Sequence, residues 1–403
     1  MTLLIILNCL YALKVLFYFF LPKNKKMVRD DDKFITEERD PVGVDIIVPM
    51  FNEEKVILGT IESLMKIRYS NYTINLIDDG STDGTLGLIR KYYGNHPNFK
   101  IISQENKGKA SALNKAIENS SNEIIVCIDA DTLVQPDLIE KLLPYFDDPQ
   151  VAAVAGNIKV SNRNNLITHM QAIEYTTMYN YERKLFESVK GILIIPGALG
   201  AFRRAVVSAM GGYTSDTLAE DTELTLRILC GNYLIRNATD LVAYTETPAS
   251  LKMFLRQRIR WKVGTFQVLA NYPFAHENKV LSFVIIPYAW IFGMILPIVT
   301  PFIDYLLIYH LLFKHDFSIV YPYLSFILID SAICSVILLL MKENPLQILF
   351  MVFQRLMLRQ LTMITYISIA IKAVTGNLFR WDKITRYGDS KMSTMREAVK
   401  QSA

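Results

Sequence analysis

Several clusters of polar residues in the middle of the chain have types and spacings that can do chemistry. Asp129 and Asp131 flank one alanine directly after the apolar run 124–128. Both carboxylates can turn toward one ion as a strand runs out, and hard divalent cations such as Mg2+ or Mn2+ take carboxylate oxygens and share their other positions with phosphate. An Asp-x-Asp alone is also a common solvated turn. Asp78 and Asp79 precede Gly80 and can accept hydrogen bonds from a planar base or a ribose, while Asp83 suits a cap on the following helix. Asn106-Lys107-Gly108-Lys109-Ala110 offers a glycine turn, positive charge and helix N-terminal amides, which suit a phosphate. The run from Gly197 to Phe202 carries two glycines and lets backbone approach a partner such as a sugar ring. Glu220 and Asp221 stand before a helix at 222–230: one can cap it and the other can act as a general base on a hydroxyl. Gln257-Arg258-Ile259-Arg260-Trp261 lies on an amphipathic pattern, with arginines for a diphosphate or lipid headgroups and an indole for a pyranose.

The elements that position these residues alternate. β-Branched runs at 45–48, 73–77, 100–102, 123–128 and 151–155 are separated by polar turns and helical patterns, such as 110–118 and 135–146. Such alternation predicts an α/β domain with a mostly parallel sheet, whose ligands bind beyond the carboxyl ends of the strands. The acidic motifs fall at those ends.

Both ends of the chain differ from this middle. The 403 residues are 51% hydrophobic and 20% charged, and the net charge of +4 with no basic stripe excludes a nucleic-acid partner. Residues 3–21 are apolar except for Asn8 and Lys14, and Lys23, Lys25, Lys26 and Arg29 follow. That order predicts a membrane anchor with the following chain in the cytosol rather than a cleaved leader. Apolar stretches recur at 280–313, 317–341 and 346–374. The first carries Pro287, Pro297 and Pro301 and suits an interfacial segment joined to a span. In the third, Arg355 and Arg359 share a helix face that must meet protein, a polar conduit or the membrane surface. Three crossings after a cytosolic domain would leave the C-terminus outside, whereas Arg380, Lys383, Arg386, Lys391, Arg396 and Lys400 favour the inside. One stretch therefore does not cross, or one bends back. Cys9, Cys127, Cys230 and Cys334 lack metal-ligand spacing and read as small buried residues. The expected domains are 1–22 (anchor), 23–43 (linker), 44–272 (catalytic), 273–376 (membrane) and 377–403 (basic tail).

Taken in order, Asp78-Asp79-Gly80-Ser81, Asp129-Ala130-Asp131, Glu220-Asp221 and Gln257-x-x-Arg260-Trp261 resemble the processive membrane branch of the family 2 glycosyltransferases, whose fold is GT-A. Asp216-Thr217-Leu218-Ala219-Glu220-Asp221, Thr245-Glu246-Thr247-Pro248 and Gln354-Arg355-Leu356 with Arg359-Gln360 are most similar to bacterial poly-β-1,6-N-acetylglucosamine synthases. This chain departs from them in having one N-terminal apolar run where relatives often have two. The resemblance implies an inverting enzyme of the cell membrane, multi-pass, with a cytosolic catalytic domain that adds UDP-N-acetylglucosamine to a growing polysaccharide for export. It implies uridine contacts at Asp79 and Asp78, diphosphate contact at Lys109, metal held by Asp131 with Asp129, and Asp221 as base beside Glu220. Gln257, Arg260 and Trp261, with Arg258 in the same motif, would hold the diphosphate and the acceptor end. A small accessory subunit and a separate deacetylase are implied partners. The competing expectations are a transferase adding one sugar to a lipid or protein, and a nucleotide-binding export subunit without catalysis.

Overall fold

The computed structural model describes residues 2–20, 41–272, 278–376 and 388. The basic cluster 23–29, most of the expected linker and all the basic tail residues lie outside the described residues.

Eight strands form one sheet in the order β3-β2-β1-β4-β7-β6-β8-β5. The strands are β1 (Val44–Met50), β2 (Tyr72–Asp78), β3 (Phe99–Ser103), β4 (Ile124–Cys127), β5 (Thr132–Val134), β6 (Val151–Val160), β7 (Gly200–Arg203) and β8 (Leu234–Thr245). β1 pairs in parallel with β2 and β4, and β2 with β3. β7 is antiparallel to β4 and β6, β6 is parallel to β8, and β5 is antiparallel to β8. The sheet is thus mostly parallel, and its first four expected strands form the contiguous parallel half.

Alternation along β1 shows how the layers arise. Ile46 and Val48 join Ile57, Ile61 and Leu64 on one face of the sheet, while Ile47 joins Ala112, Leu113 and Ala116 on the other. Those partners come from α2 (Ile57–Leu64) and α4 (Lys109–Glu118), so helices cover both faces; α1 (Thr2–Phe20) precedes the sheet and α3 (Thr85–Tyr93) follows β2. The helix expected over 135–146 is shorter: β5 takes 132–134, α5 covers Leu138–Leu142, and a 3-10 turn with Pro144 near its start ends the segment. α6 (Leu166–Glu174) and α7 (Tyr181–Ser188) are joined by a π-helical stretch. α8 (Arg204–Ala209), α9 (Glu220–Cys230) and α10 (Leu251–Asn271) complete the domain.

Among the described residues, three helices after α10 are long and apolar enough to cross a membrane: Leu281–Lys314, Val320–Leu340 and Pro345–Val374. The first is one continuous helical run. π-Helical stretches at Leu281–Ile285 and Ala289–Ile295 accompany its prolines, widening the turns where an i→i−4 bond is lost. α1 packs against Val320–Leu340, with Asn8 donating to the Pro322 carbonyl at 3.0 Å and Tyr11 edge-on to Phe326. Lys14, the other polar residue of α1, pairs with Glu182 on α7 at 3.3 Å. Arg355 and Arg359 meet protein: Arg355 Nε lies 2.6 Å from Asp330, and Arg359 Nη2 2.8 Å from Asp304. Gln360 also donates to Asp304, at 2.6 Å.

Candidate active site

The carboxyl ends of β1, β2 and β4, the start of α4, the start of α9 and the middle of α10 come together at one site. At its β1–β2 edge the loops are tied to each other. Asn52, in the left-handed region, accepts from the Thr82 amide at 2.7 Å, and the Glu53 amide donates to the Thr85 hydroxyl at 2.8 Å. Gly80 has φ +73°, and a side chain there would press its Cβ to 2.7 Å from the Asn106 nitrogen, so this turn needs glycine.

Asp78 and Asp79 hold that edge together. Asp78 accepts from the Ser81 amide and the Ser103 hydroxyl, both at 3.3 Å. Asp79 accepts from Gln104 Nε2 at 2.7 Å, the Lys107 amide at 3.0 Å and the Gly108 amide at 2.9 Å. Both are buried. Their carboxylates fix the 104–108 loop, and thereby the start of α4, where Lys109 stands.

Lys109 links two sides of this site. Its ammonium lies 2.6 Å from Asp129 and 3.6 Å from Glu220, joining the β4 end to α9. Burial works against the charged amine, but its side chain keeps 31% of its exposure, and Asp129, Glu220 and Asp221 together raise its pKa. The backbone of Gly197 lies over this pair: a Cβ there would sit 2.8 Å from Lys109 Nζ and 3.7 Å from Asp129 Oδ1. The glycine-bearing run does approach a partner closely, and that partner is the Lys109–Asp129 pair.

Asp129 is part-exposed, whereas Asp131 is buried and accepts from the Thr132 and Thr245 hydroxyls at 3.2 and 3.1 Å. Among the described residues no group of three His, Cys, Asp or Glu side chains gathers as a complete metal cage. The donor set fits a cation that arrives with a diphosphate, because Asp129 already holds a positive charge and Mg2+ or Mn2+ binds through one or two carboxylates plus phosphate and water.

Glu220 and Asp221 occupy the first turn of α9. Asp221 accepts from the Thr222 amide at 2.7 Å. Burial and the neighbouring Glu220 push its carboxyl up to about 6, against the opposing pull of Lys109, the Thr222 amide and Arg260. A carboxylate of that basicity is suited to take a proton near neutral pH.

α10, capped by Ser250, divides the remaining motif. Arg258 is buried: Nη2 lies 2.6 Å from Glu174, Nη1 donates to the Tyr179 hydroxyl at 2.8 Å, and the guanidinium stacks 4.5 Å over Trp261. Trp261 also packs against the Tyr175 and Tyr179 rings. Arg258 thus locks the indole in place. Gln257 Oε1 and Arg260 Nε are buried and make no hydrogen bond, as is true of Arg258 Nε, but among the described residues no carboxylate pairs with Arg260 as Glu174 pairs with Arg258. Buried polar atoms without partners fit a ligand that brings both a donor and an acceptor.

The sequence reading passed over Glu174 and Tyr179. The signal that marks their segment is the Asn165-x-x-Thr168 capping box, in which the Asn165 side chain accepts from the Thr168 amide and Thr168 answers to the Asn165 amide.

Residues 45–211 match the family model Glycosyl transferase family 2. The poly-beta-1,6-N-acetyl-D-glucosamine synthase of Staphylococcus aureus strain COL is 29% identical over 228 residues, covering 56% of this chain and 55% of the relative. The synthase of the same name from Staphylococcus epidermidis is 27% identical over 259 residues, covering 63% and 61%. The match thus spans little more than half the length of these relatives. Among solved structures, a mannosyltransferase of Pyrobaculum calidifontis in complex with GDP-Man and Mn2+ superposes with a TM-score of 0.61 at 19% identity, covering 93% of this chain and 96% of that one. Strand-end motifs, family match and shared architecture agree: the chain carries a family 2 glycosyltransferase domain of GT-A fold.

Proposed function

We propose that the protein is a processive, inverting glycosyltransferase that extends a β-linked polysaccharide from a UDP-sugar, with UDP-N-acetylglucosamine and poly-β-1,6-N-acetylglucosamine as donor and product. The observation that carries this reading is the meeting of Lys109, Asp129, Glu220 and Asp221 at one site near Arg260. The names of the staphylococcal relatives support the choice of sugar and linkage.

In this reading the β1–β2 edge shaped by Asp78 and Asp79 receives the uridine, and Lys109 approaches the diphosphate. A Mg2+ or Mn2+ ion carried by Asp129 and Asp131 would neutralise charge on the leaving group. Asp221 accepts the proton of the acceptor hydroxyl while that hydroxyl's oxygen bonds to the anomeric carbon. The bond from that carbon to the diphosphate breaks with its electron pair, and Arg260 stabilises the departing UDP. Attack from the face opposite the leaving group turns an α-linked donor into a β-linkage. Gln257 and Trp261 hold the acceptor end, consistent with a chain that stays bound between additions.

The same reading places the catalytic domain in the cytosol and the product path across the membrane. α1, Leu281–Lys314 and Val320–Leu340 cross. The last of these returns the chain to the catalytic domain, where Glu343 pairs with Lys159 at 3.2 Å. The Met351–Val374 helix then tracks α10, with Leu358 and Leu361 clustered on Phe254, and Tyr366 under Lys262. It also meets Asp304 and Asp330 partway along two helices joined by a short turn, so the reading of this helix as held against the catalytic domain rests on its packing along α10. The C-terminus then lies on the catalytic side, as its basic residues favour.

Membranes containing the full chain, supplied with labelled UDP-sugars and followed by product sizing and linkage analysis, test the function. Single-sugar adducts alone would remove the processive reading. A reporter fused after Lys391 tests the topology, and activity of that reporter outside the cell would overturn it.

A further inference from the structure

The polar face of α10 continues beyond Trp261. Gln257, Arg260, Trp261, Gly264 and Gln267 recur at three- and four-residue spacing and so share one side of the helix. At Gly264 this side touches the backbone leading into α9: a Cβ there would lie 2.7 Å from the Ala219 nitrogen and the Leu218 carbonyl carbon, and 2.8 Å from the Ala219 Cβ. Two of those three atoms are main chain and cannot yield by a rotamer change. One turn on, Gln267 Oε1 accepts from the Leu218 amide at 2.9 Å. The other end of the same segment is held from α4, where Asn114 accepts from the Tyr213 amide at 2.7 Å and donates to the Tyr213 carbonyl at 2.8 Å. The strip that delivers Glu220 and Asp221 is therefore gripped between the helix that begins with Lys109 and the helix that carries Arg260.

We propose that Gly264 and Gln267 are positioning residues that set the separation between the base Asp221 and the Gln257–Arg260–Trp261 face of α10. The inference rests on Asp221 being the base. Neither residue need touch substrate; a side chain at 264 or a missing acceptor at 267 moves α9 against α10. Displacements near 1 Å at a reacting centre cost on the order of 100-fold in rate. The donor edge at β1 and β2 lies outside this grip, and α4 is touched only at Asn114, more than a turn beyond Lys109.

The test uses the full chain in membranes with labelled UDP-N-acetylglucosamine, comparing Gly264→Ala, Gln267→Met, Gln267→Glu and Asp221→Asn. Gly264→Ala is expected to lower kcat by roughly 10- to 100-fold with donor KM unchanged. The acid limb of its kcat/KM profile moves to higher pH, because Arg260 no longer favours the ionised carboxylate as strongly. Gln267→Met lowers kcat by less, and Gln267→Glu, which keeps the acceptor for the Leu218 amide, restores it. Wild-type kcat and an unmoved limb in Gly264→Ala overturn the proposal, as does equal loss in both Gln267 variants. A rise in donor KM that accompanies the loss of kcat also overturns it, since the damage would then extend to the whole domain. Activity surviving Asp221→Asn defeats the base assignment instead, whatever the brace variants do.

Discussion

The two edges of the candidate site are built on opposite principles. At the β1–β2 edge, Asp78 and Asp79 are buried and their carboxylates are engaged by the protein's own amides, hydroxyls and an amide side chain. At the α9–α10 edge, Gln257 Oε1 and Arg260 Nε are buried without hydrogen bonds, and Asp221 is held near 6 by burial and a neighbouring carboxylate. The first edge is finished before any ligand arrives. The second is left incomplete, and a ligand that completes it gains the interactions the fold has left open. Acidic residues that look alike in sequence are thus engaged by the fold on one side and, in the proposed function, serve chemistry on the other.

The largest test of this contrast is Asp221→Asn. Losing a general base costs about 100- to 10,000-fold, so kcat should fall by on the order of 1,000-fold with little change in thermal stability. Turnover measured in membranes beside a melting curve checks it, and a large drop in stability with intact turnover would reverse the assignment. Arg258→Met should behave in the other direction. Arg258 and Glu174 are almost wholly buried, and removing one partner of such a pair typically costs about 3–5 kcal/mol. The expected result is a strong loss of thermal stability, with activity falling as Trp261 loses its stacking partner. Arg260→Met, two residues away, should leave stability nearly unchanged and reduce turnover.

Asp79→Asn probes the finished edge. An amide in place of the carboxylate turns a donor toward some of the three donors that Asp79 now accepts from. Leaving buried amides unmatched costs about 1–3 kcal/mol, so stability should fall by that amount. The 104–108 loop loosens, and the donor KM should rise by roughly 10-fold, about 1.4 kcal/mol, as Lys109 loses its register. An unchanged KM in a destabilised variant would show that the loop and the donor are independent.

These contrasts also mark what the sequence could and could not carry. β1 to β4 were legible because their apolar residues alternate between two covered faces. β5 and β7 were not, because three- and four-residue strands carry no period, and β8 runs through Asn237, Thr239 and Asp240. The site motifs were legible as a set, since carboxylates at strand ends and an arginine–tryptophan helix are unusual together. Their division of labour was not. Nothing local tells Arg258 from Arg260; the difference is Glu174, 84 residues earlier in the chain, standing opposite one and not the other. The same holds for Arg355 and Arg359, whose partners Asp330 and Asp304 come from two other helices. Pairing across that distance is decided by packing and leaves no trace in spacing.

The smallest predicted effect is the sharpest probe of the α9–α10 edge, because its sign is fixed by charge. In the proposed function Asp221 is the base and works only when ionised, so kcat/KM should rise with pH through an acid limb near 6. Glu220 and burial disfavour the ionised form; Lys109 favours it. Glu220→Gln removes a repelling charge, so the limb should move to lower pH. Lys109→Met removes an attracting one, so the limb should move to higher pH, by on the order of one unit. Lys109→Met also weakens the contact with the diphosphate, but that loss scales the whole profile and leaves the limb where the charges put it. Shifts in opposite directions from two residues that face each other at 3.6 Å are what a carboxylate poised between them requires. Shifts in the same direction would mean that the limb belongs to another group.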